Sequence, residues 1–136
     1  MLNTKVKDFM QRKLPNITPD TEMTTAIAEL QKFKLLGAPV FDKDKCLVGF
    51  ISEQELLKPL TQSSYFCDGM VKVSQLMQTE VVTVSGDTNI IELAQQMQPG
   101  KPKNYPVVEG VKVIGMISRA DVLKALYDNY ISCQTH

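Results

Sequence analysis

GMISRADVLKAL, residues 115–126, reads as a strand that turns into a helix. The chain has already written nearly the same junction as GFISEQELLKPL, residues 49–60. Both copies keep the glycine, the serine and an acid three residues after the serine, while the residues between them change. Working outward, VKDFM at 6–10 returns as VSQLM at 73–77, TPDT at 18–21 as SGDT at 85–88, and APVF at 38–41 as YPVV at 105–108, each 67 residues later. The junction glycines, at 49 and 115, are 66 apart. One residue has therefore been lost between DKDK (42–45) and EG (109–110), polar turn material where a deletion costs little. A register kept through apolar segments and broken only at a turn marks a duplicated folding unit.

Each copy predicts the same order of elements. A short amphipathic helix (5–11 and 73–78) precedes a brief strand, near Ile17 and at 81–84. Asp20-Thr21 and Asp87-Thr88 then supply N-cap residues for the next helix. That helix carries Met23, Ile27, Leu30 and Phe33 in the first copy and Ile90, Ala94 and Met97 in the second, apolar stripes whose natural place is the core. Two strands follow in each, 38–41 with 47–52 and 105–108 with 113–118, joined as hairpins. Gly110 permits a positive φ in the second turn. Pro39 and Pro106 are expected at strand starts, where a missing N–H is tolerated. A last helix closes each copy. The fold class is thus α+β (α/β), with tandem β-α-β-β-α repeats related by pseudo-two-fold symmetry. The repeats span 1–60 and 73–131, with a connection at 61–72 and a tail at 132–136. About 60 residues alone bury a sheet face poorly, so two small sheets packed together with helices outside are expected.

Composition narrows the function. A chain of 136 residues removes roughly two-thirds of its unfolded surface from water, so its core needs neither disulfide nor metal. Fifteen Lys and Arg balance fifteen Asp and Glu, without the basic excess that phosphate-backbone binding demands; nucleic acid is not an expected partner. Cys46, Cys67 and Cys133 are odd in number and widely spaced, which suits free thiols in a reducing compartment. No leader is visible and no apolar run nears the roughly 18 residues of a membrane span, so a cytoplasmic protein without a membrane partner is expected. The chain shows no Gly-rich phosphate loop, metal-ligand cluster or nucleophile–base pair, and its one histidine, His136, lies in a polar tail. No enzyme, catalytic residue or metal site is predicted.

Taken together, VKDFM and VSQLM, the Asp-Thr helix starts, GAPVFD and NYPVVE, and GFISEQE and GMISRAD resemble the CBS domain. Residues 6–60 with 73–126 resemble one CBS pair, a Bateman module. The resemblance implies a regulatory module that requires no cofactor and binds an adenine nucleotide (AMP, ADP or ATP, with Mg²⁺ accompanying a polyphosphate) in clefts between the halves. It implies that the acid of the Gly-apolar-apolar-Ser-x-x-acid segment accepts from the ribose hydroxyls. The serine lies near phosphate, and the opposite repeat supplies the adenine pocket. On this sequence the primary cleft would use Met116, Ser118, Arg119, Ala120 and Asp121 with Thr18, Met23, Leu35 and Leu36. Lys103 and Asn104 would reach its phosphates. A weaker cleft would use Phe50, Ser52 and Glu55 with Ser85, Ile90 and Pro102. A homodimer and an effector protein as partner are implied as well. Two alternatives stay open: an interaction scaffold with empty or vestigial clefts, and a binder of another adenosyl ligand such as S-adenosylmethionine or NAD.

The residues themselves rank the two clefts. Ser-x-x-acid at a helix start is also a capping box. Ser52-Glu53-Gln54-Glu55 fills it with the preferred glutamate and sets two carboxylates at the positive end of the helix dipole, where a phosphate would be repelled. Ser118-Arg119-Ala120-Asp121 instead places a cation where the dipole disfavours it by about 0.3–1 kcal/mol. That choice makes sense if an anion completes the corner. Asp121, one methylene shorter, is expected to suit the capping bond less and a diol more, and Ala120 keeps the approach open. Leu35, Leu36 and Met23 offer an apolar slot for a ring, or simply core. Lys101 and Lys103 form a small basic cluster in the loop before Tyr105.

Overall fold

A computed structural model describes residues 4–62 and 70–134. Most of the connection between the copies, with Cys67, lies outside the described residues, as does His136. Among the described residues four α-helices follow in chain order: α1 (Met23–Phe33), α2 (Glu53–Leu60), α3 (Ile90–Gln96) and α4 (Arg119–Gln134). The strands are β1 (Gly37–Phe41), β2 (Leu47–Ser52), β3 (Val84–Ser85), β4 (Asn104–Glu109) and β5 (Lys112–Ser118). They build two small sheets, an antiparallel β1-β2 pair and a three-stranded β3-β4-β5 sheet in which β3 runs parallel to β4. The tandem α+β architecture expected from the repeat is the one that forms.

The chain divides into two compact units, neither of which is one continuous stretch. The α2 unit comprises Leu14–Val81 with Val111–Val113, and the α4 unit comprises 4–13, Val82–Gly110 and 114–134. Each unit thus joins the body of one copy to the opening segment of the other. The α4 unit centres on Val6, Ile90, Leu93, Val107, Ile117 and Val122, and the α2 unit on Ile17, Ala26, Leu30, Val40, Ile51 and Val73. Val6 and Val73, 67 residues apart, are both fully buried, and such a side chain contributes roughly 1.5–3 kcal/mol when removed from water. Backbone bonds add to this at equivalent places. Val6 N and Lys7 N donate to Thr88 O and Gly86 O at 2.9 and 3.0 Å, while Val73 N and Ser74 N donate to Thr21 O and Pro19 O at 2.8 and 3.0 Å.

Several local expectations change in three dimensions. The opening helices shrink to single 3₁₀ turns, Val6–Asp8 and Val73–Gln75, because each segment spends its backbone donors on its unit. Ile17 is fully buried yet forms no strand. Pro15 and Pro19 flank it without N–H groups, and its own N–H turns back to Pro15 O, leaving one bond from Phe41 N to Ile17 O at 3.2 Å. The second copy lacks those prolines, and β3 pairs Val84 with Val107 and Ser85 with Val108. Helix starts move two residues on. Glu22 and Asn89 stand at the N-caps, with Asn89 Oδ1 accepting from Ile91 N at 2.8 Å. Asp20 and Asp87 instead pair with lysines of the opening segments: Lys72 at 3.6 Å for Asp20, Lys7 at 3.1 Å and Lys5 at 3.5 Å for Asp87. Pro39 and Pro106 lie inside β1 and β4, not at their starts. Among the described residues β1 pairs with no strand besides β2, and the two-residue β3 pairs only beyond Pro106, so neither missing N–H breaks a ladder. The buried face of α3 includes Leu93 along with Ile90, while Ala94 and Met97 are half-buried.

Candidate functional site: the two strand–helix junctions

In the α4 unit, β5 delivers Ser118 to the start of α4, and a capping box closes the joint. Ser118 N donates to Asp121 Oδ2 at 2.9 Å, and Asp121 N donates to Ser118 Oγ at 3.1 Å. The expectation that aspartate serves this bond poorly is therefore corrected: the shorter side chain reaches back because the turn brings the two residues together. Gln11 Nε2 approaches the same oxygen, Asp121 Oδ2, at 3.4 Å. Asp121 Oδ1 has no partner among the described residues. Arg119 N donates to Lys103 O at 2.8 Å, which sets the loop before β4 against the first turn of α4. Arg119, Lys103 and Lys101 are exposed and form no ion pair among the described residues. Asn104, the first residue of β4, is half-buried, Ala120 is exposed, and Met116 is in the core. Of the residues expected in the primary cleft, the backbone thus joins Lys103 to Arg119 at the helix start, and Asp121 there carries an open carboxylate oxygen among the described residues.

The equivalent junction of the α2 unit is finished differently. Ser52 N and Ser52 Oγ both donate to Glu55 Oε1, at 2.8 and 2.7 Å, and Gln78 Nε2 donates to Glu55 Oε2 at 2.8 Å. Both carboxylate oxygens are engaged. Glu53, in the place of Arg119, donates its N–H to Leu36 O at 3.0 Å, and Leu36 takes the place of Lys103. Carboxylate and leucine here replace two cations.

The remaining expected residues are placed within their own units. In the α2 unit, Thr18 N donates to Thr21 Oγ1 at 2.9 Å, and Met23 is buried with its N–H on Val71 O. Leu35 and Leu36 line an apolar groove of about 450 Å³ with Ile27, Leu30, Leu56, Leu57 and Leu60. Neither Thr18 nor Met23 lines it. Phe50 is half-buried on β2. In the α4 unit, Ser85 Oγ accepts from Asp87 N at 3.2 Å, Ile90 is fully buried and Pro102 is exposed.

Two residues that sequence reasoning passed over turn out to be central. Gln11 and Gln78, again 67 apart, exchange paired backbone bonds with Met116 and Phe50 at 2.8–2.9 Å and send their side-chain amides to the two acids. The signal was present: each glutamine directly follows the aligned VKDFM and VSQLM. The same segments explain the repeated glycines. A Cβ at Gly115 would stand 2.7 Å from Gln11 O and from Met10 Sδ, and one at Gly49 would stand 2.8 Å from Gln78 O and 2.7 Å from Met77 Sδ.

Among the described residues no group of three or more His, Cys, Asp or Glu could hold a metal ion. No helix among them is long and apolar enough to cross a membrane. Cys46 and Cys133 are free thiols.

Comparison with known proteins agrees with this geometry. A CBS domain protein of Dictyostelium discoideum is 28% identical over 131 residues, covering 89% of this chain and 90% of that protein. The chain spans 58% and 15% of the next two curated relatives, the latter an A-adding tRNA nucleotidyltransferase of Aquifex aeolicus. Among solved structures, the CBS-pair protein CBSX2 of Arabidopsis thaliana in complex with AMP is 28% identical, with a TM-score of 0.80 over 93% of this chain and 98% of that one. A putative acetoin utilization protein of Vibrio cholerae shares the fold over the full length of both chains, with a TM-score of 0.84 and 24% identity. The model of the CBS domain matches twice, at residues 6–61 and 73–128, the two copies whose junctions have just been described. The chain belongs to the CBS domain family, and it does so as a tandem pair.

Proposed function

We propose that this CBS pair is a regulatory module that binds one adenine nucleotide per chain, without catalysis, and acts through a partner protein. The observation that carries this reading is the difference between the junctions. Among the described residues Asp121 keeps an oxygen open in a junction whose exposed Arg119, Lys103 and Lys101 form no ion pair, whereas Glu55 has both oxygens engaged in a junction that carries Glu53. A guanidinium and two lysines near this helix start form a phosphate corner, and the open carboxylate oxygen accepts a ribose hydroxyl. The AMP complex of CBSX2 supports adenine as the base. Thr18, Met23, Leu35 and Leu36 are proposed for the adenine on the resemblance alone. Phe50, Ser52, Glu55, Ser85, Ile90 and Pro102 make the weaker candidate set.

Calorimetric titration of ligand-free protein with AMP, ADP and ATP tests the proposal. One site per chain is expected, and flat titrations with all three would sink it. Mass spectrometry of whatever co-purifies with the native protein distinguishes a nucleotide from S-adenosylmethionine or NAD. A homodimer in a cytoplasmic setting completes the reading. The exposed apolar residues Leu57 and Leu60 on the α2 unit, and Leu123, Tyr127 and Tyr130 on the α4 unit, support it as surface that a second copy would cover.

A further inference from the structure

From the bonds around Asp121 we infer that Gln11 is a specificity-determining residue for the sugar, acting with Asp121 as a two-acceptor reader of a vicinal diol. This inference rests on the reading of the α4 junction as the nucleotide site. A ribose offers two adjacent O–H donors, and one carboxylate oxygen cannot serve both equally well. Asp121 Oδ2 already receives Ser118 N at 2.9 Å and Gln11 Nε2 at 3.4 Å, so Oδ1 is the oxygen left for the ligand. The amide of Gln11, tied to that carboxylate through its nitrogen, has an oxygen that accepts nothing among the described residues. Together Asp121 Oδ1 and Gln11 Oε1 supply two acceptors on linked side chains, the number a diol requires.

Gln11 is held for this role from the backbone. Gln11 N donates to Met116 O at 2.8 Å and Met116 N to Gln11 O at 2.9 Å, and the absent Cβ of Gly115 lets the two segments approach. Its amide bond is long, whereas Gln78 grips Glu55 at 2.8 Å in a junction with no open carboxylate oxygen. The same glutamine is thus a brace in one unit and an available ligand group in the other. The Gln78 position is a built-in control.

The test compares AMP with 2′-deoxy-AMP and 3′-deoxy-AMP on wild type, Gln11→Ala, Asp121→Asn and Gln78→Ala, by calorimetry. Wild type is expected to favour AMP over each deoxy analogue by roughly tenfold, the scale of one hydrogen bond to a charged or well-placed acceptor. Gln11→Ala should bind AMP several-fold more weakly and lose discrimination against one analogue while keeping it against the other. Asp121→Asn should lose the complementary one, and Gln78→Ala should change neither ratio. A merely structural Gln11 would lower the melting temperature and leave both ratios intact, and that result overturns the inference. If Gln11→Ala does not fold, Gln11→Met keeps the side-chain volume without the amide and gives the same readout. Absence of AMP binding in wild type defeats the parent reading. AMP binding through Asp121 with both ratios surviving loss of Gln11 defeats this inference alone.

Discussion

Asp121 and Glu55 sit at equivalent steps of the repeat, yet substitution should affect different properties. Asp121→Ala removes the open oxygen and the capping bond together, so AMP affinity is expected to fall about tenfold or more, with stability lowered by about 0.5–2 kcal/mol. Glu55→Ala loses a comparable cap, and with it the Gln78 bond, but should leave AMP affinity within about twofold. Calorimetry beside a thermal melt separates the two effects, and equal affinity losses would show that the ranking of the junctions is wrong. Arg119→Glu writes the first copy's residue into the second. It is expected to weaken AMP binding by about an order of magnitude at low salt and less at high salt, since exposed charges are screened over roughly 8–10 Å. At this scale the sequence already separated the junctions by the charge of residues 53 and 119. What it could not reveal was the saturation of each carboxylate, because the amides that decide it belong to residues 110 positions from Asp121 and 23 from Glu55.

Whole elements depend on how closely the opening segments lie against the β2 and β5 strands. Gly115→Ala would push a methyl group against the Gln11 carbonyl, which backbone bonds to Met116 hold in place. A cost of about 1–3 kcal/mol is expected from such overpacking, seen as a melting point several degrees lower, and Gly49→Ala should behave alike. An unchanged melt for both would show that the segments yield. A second tie is electrostatic. Lys7, by hydrogen bond and charge, and Lys5 more weakly hold the exposed Asp87 carboxylate below its ordinary value of 3.8. The folded state then binds this proton less tightly than the unfolded chain does. The clasp therefore contributes fully above 3.8 and is lost as pH falls through the lower native value. Urea midpoints measured from about pH 6 to pH 2 should fall less steeply at the acid end in Asp87→Asn than in wild type. The apolar stripe of α1 and the hairpins were legible from periodicity. The 3₁₀ turns and the shifted caps were not, because Asp20 and Asp87 obey local capping preference only until a lysine of another segment competes for them.

At the scale of the molecule, two units each hold a segment from the other copy, so neither repeat is expected to fold as an isolated stretch. Both units leave large apolar side chains exposed. Leu57 and Leu123 are 59% and 69% exposed, and Tyr127 is 60% exposed, which supports the proposed homodimer. Leu57→Asp and Tyr127→Asp should each shift sedimentation from dimer to monomer while leaving the circular dichroism spectrum unchanged. A monomeric wild type would end that proposal. By linkage, a partner that reads the nucleotide-bound form must also raise nucleotide affinity, so measuring AMP binding with and without a candidate effector identifies it.

The duplication, the order of elements, the family and the charge difference between the junctions were all decided by residue order, because a repeated register survives in the sequence itself. The junction GMISRADVLKAL showed that much unaided. Only the tertiary structure decided that the 4–13 segment joins the second copy's unit, that Gly115 makes room for Gln11, and that Asp121 retains an open oxygen where Glu55 does not. Those outcomes depend on hydrogen bonds and close contacts between residues far apart in the chain, and no local propensity encodes them.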